Sequence, residues 1–139
     1  MKIIMLAGES NSGKTQTLNG VYDCLVQSSE IVQKKTQLGG NENDFECVLK
    51  YQNMYIAIYT MGDYLNTCYE AIIKYADKDI LLMAYNTQFA AGLDNTVKKN
   101  KNHIVVNKTK NNHNDIDSIV KILATITNEA KITPTPAST

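Results

Sequence analysis

Short apolar runs alternate along the chain with segments whose apolar residues recur at helical spacing. The runs at residues 2–7, 54–60 and 80–85 predict buried strands, since a strand covered on both faces is apolar along its whole length. The run at residues 103–106 predicts the last strand. Three segments predict helices, because their apolar residues fall on one face of a helix. The apolar residues are Leu18, Val21, Tyr22 and Leu25 in the first segment, Leu65, Tyr69, Ile72, Ile73 and Ala76 in the second, and Ile116, Ile119, Val120, Leu123 and Ile126 in the third. A further short helix is predicted within residues 87–100, although Gly92 weakens it.

A hairpin is predicted in the middle of the chain. Residues 45–51 form a second strand pattern, separated from the strand at 54–60 by only Gln52 and Asn53. So short a connection joins antiparallel strands. Residues 28–43 are polar and contain Gly39-Gly40, which predicts a loop or switch-like segment with at most a short extended piece at residues 31–32.

The stretch from Gly8 to Thr15 fits the P-loop pattern G-x-x-x-x-G-K-[ST] without a mismatch, and it lies between the first strand and the first helix. Gly8 and Gly13 allow the backbone to curl, so that successive N–H groups point at a phosphate. The helix N-terminus adds positive potential, Lys14 reaches the terminal phosphates, and the Thr15 hydroxyl can hold Mg²⁺. The predicted nucleotide-binding residues of this segment are Gly8, Glu9, Ser10, Asn11, Ser12, Gly13, Lys14, Thr15 and Gln16.

Together these elements predict a three-layer α/β/α sandwich of the P-loop NTPase type. Its sheet is expected to be mostly parallel and five-stranded, with residues 45–51 as one antiparallel edge strand. Residues 1–132 are predicted to form a single nucleotide-binding domain, and residues 133–139 a disordered tail. Nucleotide is expected at the carboxyl ends of the strands.

Charge and composition narrow the function classes. The formal net charge is zero, which gives no electrostatic case for nucleic acid or an anionic membrane surface. No apolar run is long enough to span a bilayer, and the apolar start is too short for a signal peptide. Cys24, Cys47 and Cys68 are widely spaced and odd in number, which favours reduced thiols in the cytoplasm. His103 and His113 lie in Asn/Lys-rich segments and are not expected to bind a metal.

The basic residues are all lysine: the chain has fourteen of them and no arginine. Arginine provides the planar fork that neutralises charge on a transferring phosphoryl group. The chain therefore has no arginine finger of its own and none to lend to a second copy. A missing finger lowers the hydrolysis rate by about 10³–10⁵, so slow intrinsic turnover is expected.

The order of elements resembles that of a Ras-like small GTPase, a family with a P-loop, a switch loop, an antiparallel hairpin, a D-x-x-G motif and an N-K-x-D motif. Here the hairpin ends in Y-T-M-G at residues 59–62, and the last strand ends in N-K-T-K at residues 107–110. Tyr59 stands where the family places its magnesium-linked aspartate. Lys110 stands where an aspartate would read guanine, and a lysine has no acceptor to offer. ATP is therefore slightly favoured over GTP, and an ordinary polar loop explains residues 107–110 as well.

Gly62 and Asp63 are the best candidates for the second half of the site, because they follow the apolar strand 54–60 as a Walker B acid does. Asp63 would bind Mg²⁺ through water or orient an attacking water, and the Gly62 N–H would sense a γ-phosphate. An N-cap role explains Asp63 equally well. The predicted catalytic residues are thus Lys14 and Asp63, and the predicted metal ligands are Thr15 and Asp63.

Other polar residues are weaker candidates. Thr36 lies in the polar segment after the first helix, where a switch threonine would reach Mg²⁺. Asn86, Thr87 and Gln88 close the strand at 80–85 and would either contact the γ-phosphate or cap the loop.

Three functions remain open. The first is a small cytoplasmic NTPase that binds the magnesium complex of ATP or GTP. The second is a non-catalytic nucleotide-binding switch module that acts on a protein partner. The third is a small-molecule kinase, which the absence of arginine and of a long lid-like insertion disfavours. The sequence leaves the oligomeric state open.

Overall fold

The structure is a computed structural model that describes residues 1–9, 12–39, 43–62, 64–87, 102–108 and 115–132. Within these residues the strands are β1 (Lys2–Gly8), β2 (Ser29–Gln37), β3 (Phe45–Tyr51), β4 (Met54–Tyr59), β5 (Ile80–Asn86) and β6 (His103–Asn107), and the helices are α1 (Lys14–Val26), α2 (Leu65–Lys74) and α3 (Ile116–Ile132). The predicted helix within 87–100 lies outside the described residues beyond Thr87, as does the predicted tail at 133–139. None of the helices in the described ranges is long and apolar enough to cross a membrane.

The six strands form one sheet in the order β2-β3-β4-β5-β1-β6. β4, β5, β1 and β6 pair in parallel, whereas β3 pairs antiparallel with both β2 and β4. Five strands therefore run one way and β3 runs the other. The predicted α/β class with a mostly parallel sheet is confirmed, and so is the hairpin of residues 45–60.

β2 is the strand that the sequence pattern does not predict, and it makes the sheet six-stranded instead of five-stranded. Most of its residues are exposed, while its backbone pairs with β3 from Ser29 opposite Tyr51 to Gln37 opposite Phe45. Hydrophobic periodicity detects a strand only where one face is buried. The prediction that residues 45–51 form an edge strand is wrong for the same reason, since β2 covers their outer side.

Helices cover both faces of the sheet. The buried side chains of α1 and α3, such as Leu18 and Ile122, pack with one set of strand residues that includes Ile4. The buried residues of α2, such as Cys68, pack with the opposite set, which includes Ile3. Successive strand residues point to opposite faces, so a continuous apolar run such as β1 supplies both cores at once.

Strand direction brings several chain segments to one edge of the sheet. The parallel strands end there, and β3 begins there because it runs the other way. β5 lies between β1 and β4, which places the ends of those two strands two strand spacings apart, about 9.6 Å. The loop after β1 therefore has the end of β5 as its direct neighbour, and Gly8 lies opposite Asn86 in the pairing register.

Candidate functional site

The loop after β1 curls as it enters α1. Gly13 has φ 88° and ψ 22°, a left-handed conformation that glycine adopts without strain. The Gly13 carbonyl accepts a hydrogen bond from the Thr17 N–H at 3.0 Å, and the Ser12 N–H donates to the Glu9 carbonyl at 3.2 Å. The backbone therefore turns sharply at Gly13 where it enters α1, whereas Ser10 and Asn11 lie outside the described part of the chain.

The side chain of Lys14 turns back into this loop. The residue is only 5 % exposed, and its Nζ donates hydrogen bonds to the carbonyls of Gly8 at 3.2 Å and Glu9 at 2.6 Å. Lys14 is also the first residue of α1, where the helix dipole adds positive potential. An ammonium group and a helix N-terminus in one loop together favour the binding of an anion.

Gly8 and Ser12 face each other across the loop. A Cβ atom at Gly8 would lie 2.6 Å from the Ser12 Oγ, so the loop closes this tightly only around glycine. Ser12 is buried, and its Oγ has no hydrogen-bond partner among the described residues. A buried hydroxyl without a partner costs about 1–3 kcal/mol. An oxygen of a bound ligand would supply the partner that this hydroxyl lacks.

Thr15, the predicted magnesium ligand, contacts an acid that the sequence analysis does not identify. The Thr15 Oγ1 donates to Oδ1 of Asp44 at 2.8 Å. The same carboxylate oxygen accepts a hydrogen bond from the Thr60 Oγ1 at 2.9 Å, and Thr60 Oγ1 accepts one from the Phe45 N–H at 2.8 Å. These contacts join the first turn of α1 to the start of β3 and the end of β4.

Asp44 is not predicted from the sequence because β3 runs antiparallel to the other strands of the sheet. An acid is sought after a strand when all strands of a sheet run parallel, since their carboxyl ends meet at the ligand-binding edge. β3 runs the other way and contributes its beginning to that edge. The usable signal is therefore a polar pair, Asn43-Asp44, placed directly before a strand that a two-residue turn forces to be antiparallel.

A groove of about 240 Å³ opens beside Asp44, lined by Asn19, Lys35, Gln37, Asn43, Asp44 and Phe45. The Lys35 Nζ donates to Asn19 Oδ1 at 2.6 Å and lies over the rings of Tyr22 and Phe45, 4.6 and 4.4 Å from their centroids. The Asn19 Nδ2 donates to the Thr15 carbonyl at 2.9 Å. Burial raises the pKa of Tyr22 above its usual value, with smaller effects of nearby acidic groups, so this ring stays neutral.

The end of β6 lies beside the loop that follows β1. The Lys108 N–H donates to the Ala7 carbonyl at 2.9 Å, and the Lys108 Nζ lies 3.4 Å from Oδ2 of Asp115 with both side chains almost fully buried. Asp115 Oδ1 also accepts from the Ser118 N–H at 3.2 Å, which caps the start of α3. Lys108 therefore belongs to a buried ion pair, whereas Lys110 lies outside the described residues.

Gly62 follows β4 and is buried against β5, where a Cβ would approach the backbone of Ala84 to 2.5 Å. Its conformation is thus set by close packing on the sheet. Asp63, the predicted catalytic acid and metal ligand, lies outside the described residues.

The other predicted residues differ in how close they come to the loop. Asn86 is buried opposite Gly8, while Thr87 is exposed and Gln88 lies outside the described ranges. Gln16 is half-buried in the first turn of α1. Thr36 lies on β2, and its hydroxyl donates to the Lys34 carbonyl at 3.1 Å on the same strand.

The oxygen atoms at this edge of the sheet suit a metal ion that takes few ligands from the protein. The described residues contain no group of three or more His, Cys, Asp or Glu side chains that could hold a metal ion. Mg²⁺ commonly binds through one or two carboxylates together with water and substrate phosphates. The Thr15 hydroxyl and the Asp44 carboxylate, which lie in hydrogen-bond contact, match that preference for oxygen.

The chain matches none of the protein-family models, curated proteins or solved structures with which it was compared.

Proposed function

We propose that the chain is a small cytoplasmic P-loop NTPase, which binds the magnesium complex of a nucleoside triphosphate at residues 8–16 and hydrolyses it slowly. The observation that carries the proposal is the position of Lys14. Its buried ammonium group lies inside a curled loop at the N-terminus of α1, so two sources of positive potential face the same small space.

Different groups of the loop bind different parts of the nucleotide complex in this proposal. Backbone N–H groups between Gly8 and Gly13 cradle the phosphates, and the Ser12 hydroxyl gains the partner that it lacks in the described contacts. Lys14 exchanges the carbonyls of Gly8 and Glu9 for phosphate oxygens. Thr15 is the hydroxyl ligand of Mg²⁺, and the metal ion neutralises charge on the phosphates when it is bound.

Hydrolysis is expected to be slow because the chain contains no arginine. Phosphoryl transfer depends on positioning and on charge stabilisation, and an arginine finger supplies about 10³–10⁵ of the rate in enzymes that use one. The same observation favours a second candidate, a nucleotide-binding module that signals its bound state to a protein partner with little turnover. ATP is preferred over GTP in this proposal, since residues 107–110 carry no aspartate to read guanine.

Calorimetric titration with ATP, GTP, ADP and GDP in the presence of Mg²⁺ tests the proposal. We expect Lys14→Ala to weaken triphosphate binding by about 10–100-fold, the equivalent of losing one charge-assisted hydrogen-bonding group. Lys121→Ala removes an exposed lysine on α3 and serves as the matched control. Unchanged affinity of the Lys14→Ala protein would show that the loop does not bind phosphate.

Steady-state phosphate release tests the expectation of slow hydrolysis. The purified chain should turn over well below a few molecules per second, and a faster rate would contradict the expectation of slow hydrolysis. Tighter binding of triphosphate than of diphosphate supports an NTPase or a switch.

A further inference from the structure

Asp44 occupies a position that no parallel strand of this sheet could supply. It is 8 % exposed and lies directly before β3, at the edge where β4 ends. The Thr60 hydroxyl, just after β4, donates to Oδ1 of Asp44, and the backbone N–H of Phe45 holds that hydroxyl in place. The antiparallel hairpin therefore fixes a carboxylate at the ligand-binding edge of the sheet.

The other side of this carboxylate faces the P-loop. The Thr15 Oγ1 donates a hydrogen bond to the same Oδ1 at 2.8 Å. A hydroxyl that donates to a carboxylate is oriented by it and becomes a better ligand, as with the second partners of metal-bound side chains. Thr15 is the residue whose hydroxyl a P-loop offers to Mg²⁺, so the acid and the ligand are already in contact.

The space next to the pair is polar and open to a ligand. The groove of about 240 Å³ has Asp44 in its wall together with the amide side chains of Asn19, Gln37 and Asn43, and Lys35 and Phe45 complete its lining. Mg²⁺ dehydrates reluctantly and keeps several of its waters. The buried Ser12 hydroxyl, which lacks a partner among the described residues, is an independent sign that the neighbouring loop receives a ligand oxygen.

We infer that Asp44 is the carboxylate that serves the divalent cation of the nucleotide complex, acting with the Thr15 hydroxyl and not with Asp63. This inference rests on the proposed function, because the phosphates supply the remaining ligands of the cation. Asp44 holds the hydrated Mg²⁺ against the first turn of α1. The hairpin β3–β4 thereby becomes the part of the fold that responds to the metal-bound nucleotide.

The test measures how much Mg²⁺ strengthens ATP binding, by calorimetry with Mg²⁺ and with EDTA. Asp44→Asn keeps the shape of the side chain and removes its charge, and Asp63→Asn makes the same change at the competing acid. We expect Asp44→Asn to reduce the gain from Mg²⁺ by about 10–100-fold. Affinity in EDTA should be equal or higher, since a negative charge near the phosphates is lost. Asp63→Asn should keep the full gain.

The outcomes separate this inference from the proposed function. If the wild-type protein binds no nucleotide, both fail. If it binds nucleotide but Mg²⁺ adds nothing, or if only Asp63→Asn loses the gain, the phosphate loop stands and the role of Asp44 is refuted. If Asp44→Asn keeps the full gain in ATP affinity from Mg²⁺, the role of Asp44 is likewise refuted.

A second measurement covers the case in which Asp44→Asn does not fold, and it needs no variant. In the wild-type protein, Mn²⁺-ATP should broaden the amide resonances of Asp44 and Phe45 relative to Mg²⁺-ATP, while the amide of Lys121 on α3 stays sharp. Sharp Asp44 and Phe45 signals with bound Mn²⁺-ATP would exclude a cation at this position.

Discussion

Lys108 and Asp115 form a buried ion pair next to the loop that follows β1. The Nζ–Oδ2 distance is 3.4 Å, and the Cβ of Lys108 lies 3.5 Å from the position that a Cβ on Gly8 would take. Asp115 also accepts hydrogen bonds from the N–H and the hydroxyl of Ser118, at 3.2 and 2.7 Å. One contact thus ties the end of β6 to the start of α3 directly behind the loop.

Removing the positive charge of Lys108 from this pair should destabilise the folded protein. Lys108→Met keeps most of the side-chain volume but leaves the Asp115 carboxylate in a buried position without this positive partner. We expect the free energy of unfolding in urea to fall by about 3–5 kcal/mol. Lys121→Met, on the exposed side of α3, controls for the loss of a lysine. In Lys108→Met/Asp115→Asn most of the loss should be recovered, since asparagine still caps α3. A single variant within 1 kcal/mol of wild type would refute a stabilising ion pair.

Local sequence pattern was sufficient to predict those elements whose conformation depends only on residues nearby in the chain. β1 and β5 are continuous apolar runs, and the curl at Gly13 with Lys14 and Thr15 follows from an eight-residue motif. Their causes lie within a few residues of chain, so the sequence carries them directly. β2 has almost no buried face, and its extended backbone depends on pairing with β3, which is a tertiary cause.

The contact between Thr15 and Asp44 could not be predicted for a similar reason. The order of strands along the chain does not determine their order across the sheet, and both β3 and β4 lie farther from β1 than β5 does. Asp44 comes next to Thr15 only because β3 is reversed, and Lys108 becomes buried only because α3 presents Asp115 to it.

Substitution of glycine tests how tightly the loop closes. In Gly8→Ala the new Cβ would lie 2.6 Å from the Ser12 Oγ, and overpacking of this kind costs about 1–3 kcal/mol of stability. Gly8→Ala should therefore unfold at lower urea concentration than wild type. Gly39→Ala, which has no atom within 4 Å of its new Cβ, should be unaffected.

The double variant identifies the cause of that loss. Gly8→Ala/Ser12→Ala removes the oxygen that the new methyl group would meet, so its stability should return most of the way to wild type. If the double variant is no more stable than Gly8→Ala, the clash with Ser12 is not what destabilises the loop. Nucleotide affinity should stay below that of wild type in the double variant, because Ser12→Ala deletes the hydroxyl proposed to meet a phosphate.

Glu46 connects three elements on the side of the sheet that α2 covers. Its buried carboxylate on β3 accepts hydrogen bonds from Lys74 and from the Tyr75 hydroxyl at 2.6 Å, both at the end of α2, and from Gln33 on β2 at 3.5 Å. Burial by itself raises the pKa of Glu46. The hydrogen bonds from Lys74 and Tyr75 and the charge of Lys74 outweigh burial and hold the pKa of Glu46 below its usual value of 4.5.

This lowered pKa predicts a specific loss of stability in acid. A carboxylate whose pKa is lower in the folded than in the unfolded protein stabilises the fold above the unfolded value, and that contribution disappears as the pH falls through the folded value. Urea unfolding of the wild-type protein should therefore show stability declining from about pH 4.5 downwards. Glu46→Gln should be less stable near neutrality and decline less steeply in acid.

Tyr75→Phe provides the graded control for this network. It removes one hydrogen bond to Glu46 and keeps Lys74, so we expect a loss of about 1 kcal/mol near pH 7 and an acid decline intermediate between wild type and Glu46→Gln. Lys74 is more than half exposed, so added salt should weaken its share of the effect while leaving that of Tyr75. Parallel stability curves for wild type and Glu46→Gln between pH 7 and pH 3 would mean that Glu46 does not titrate with a lowered pKa in the folded protein.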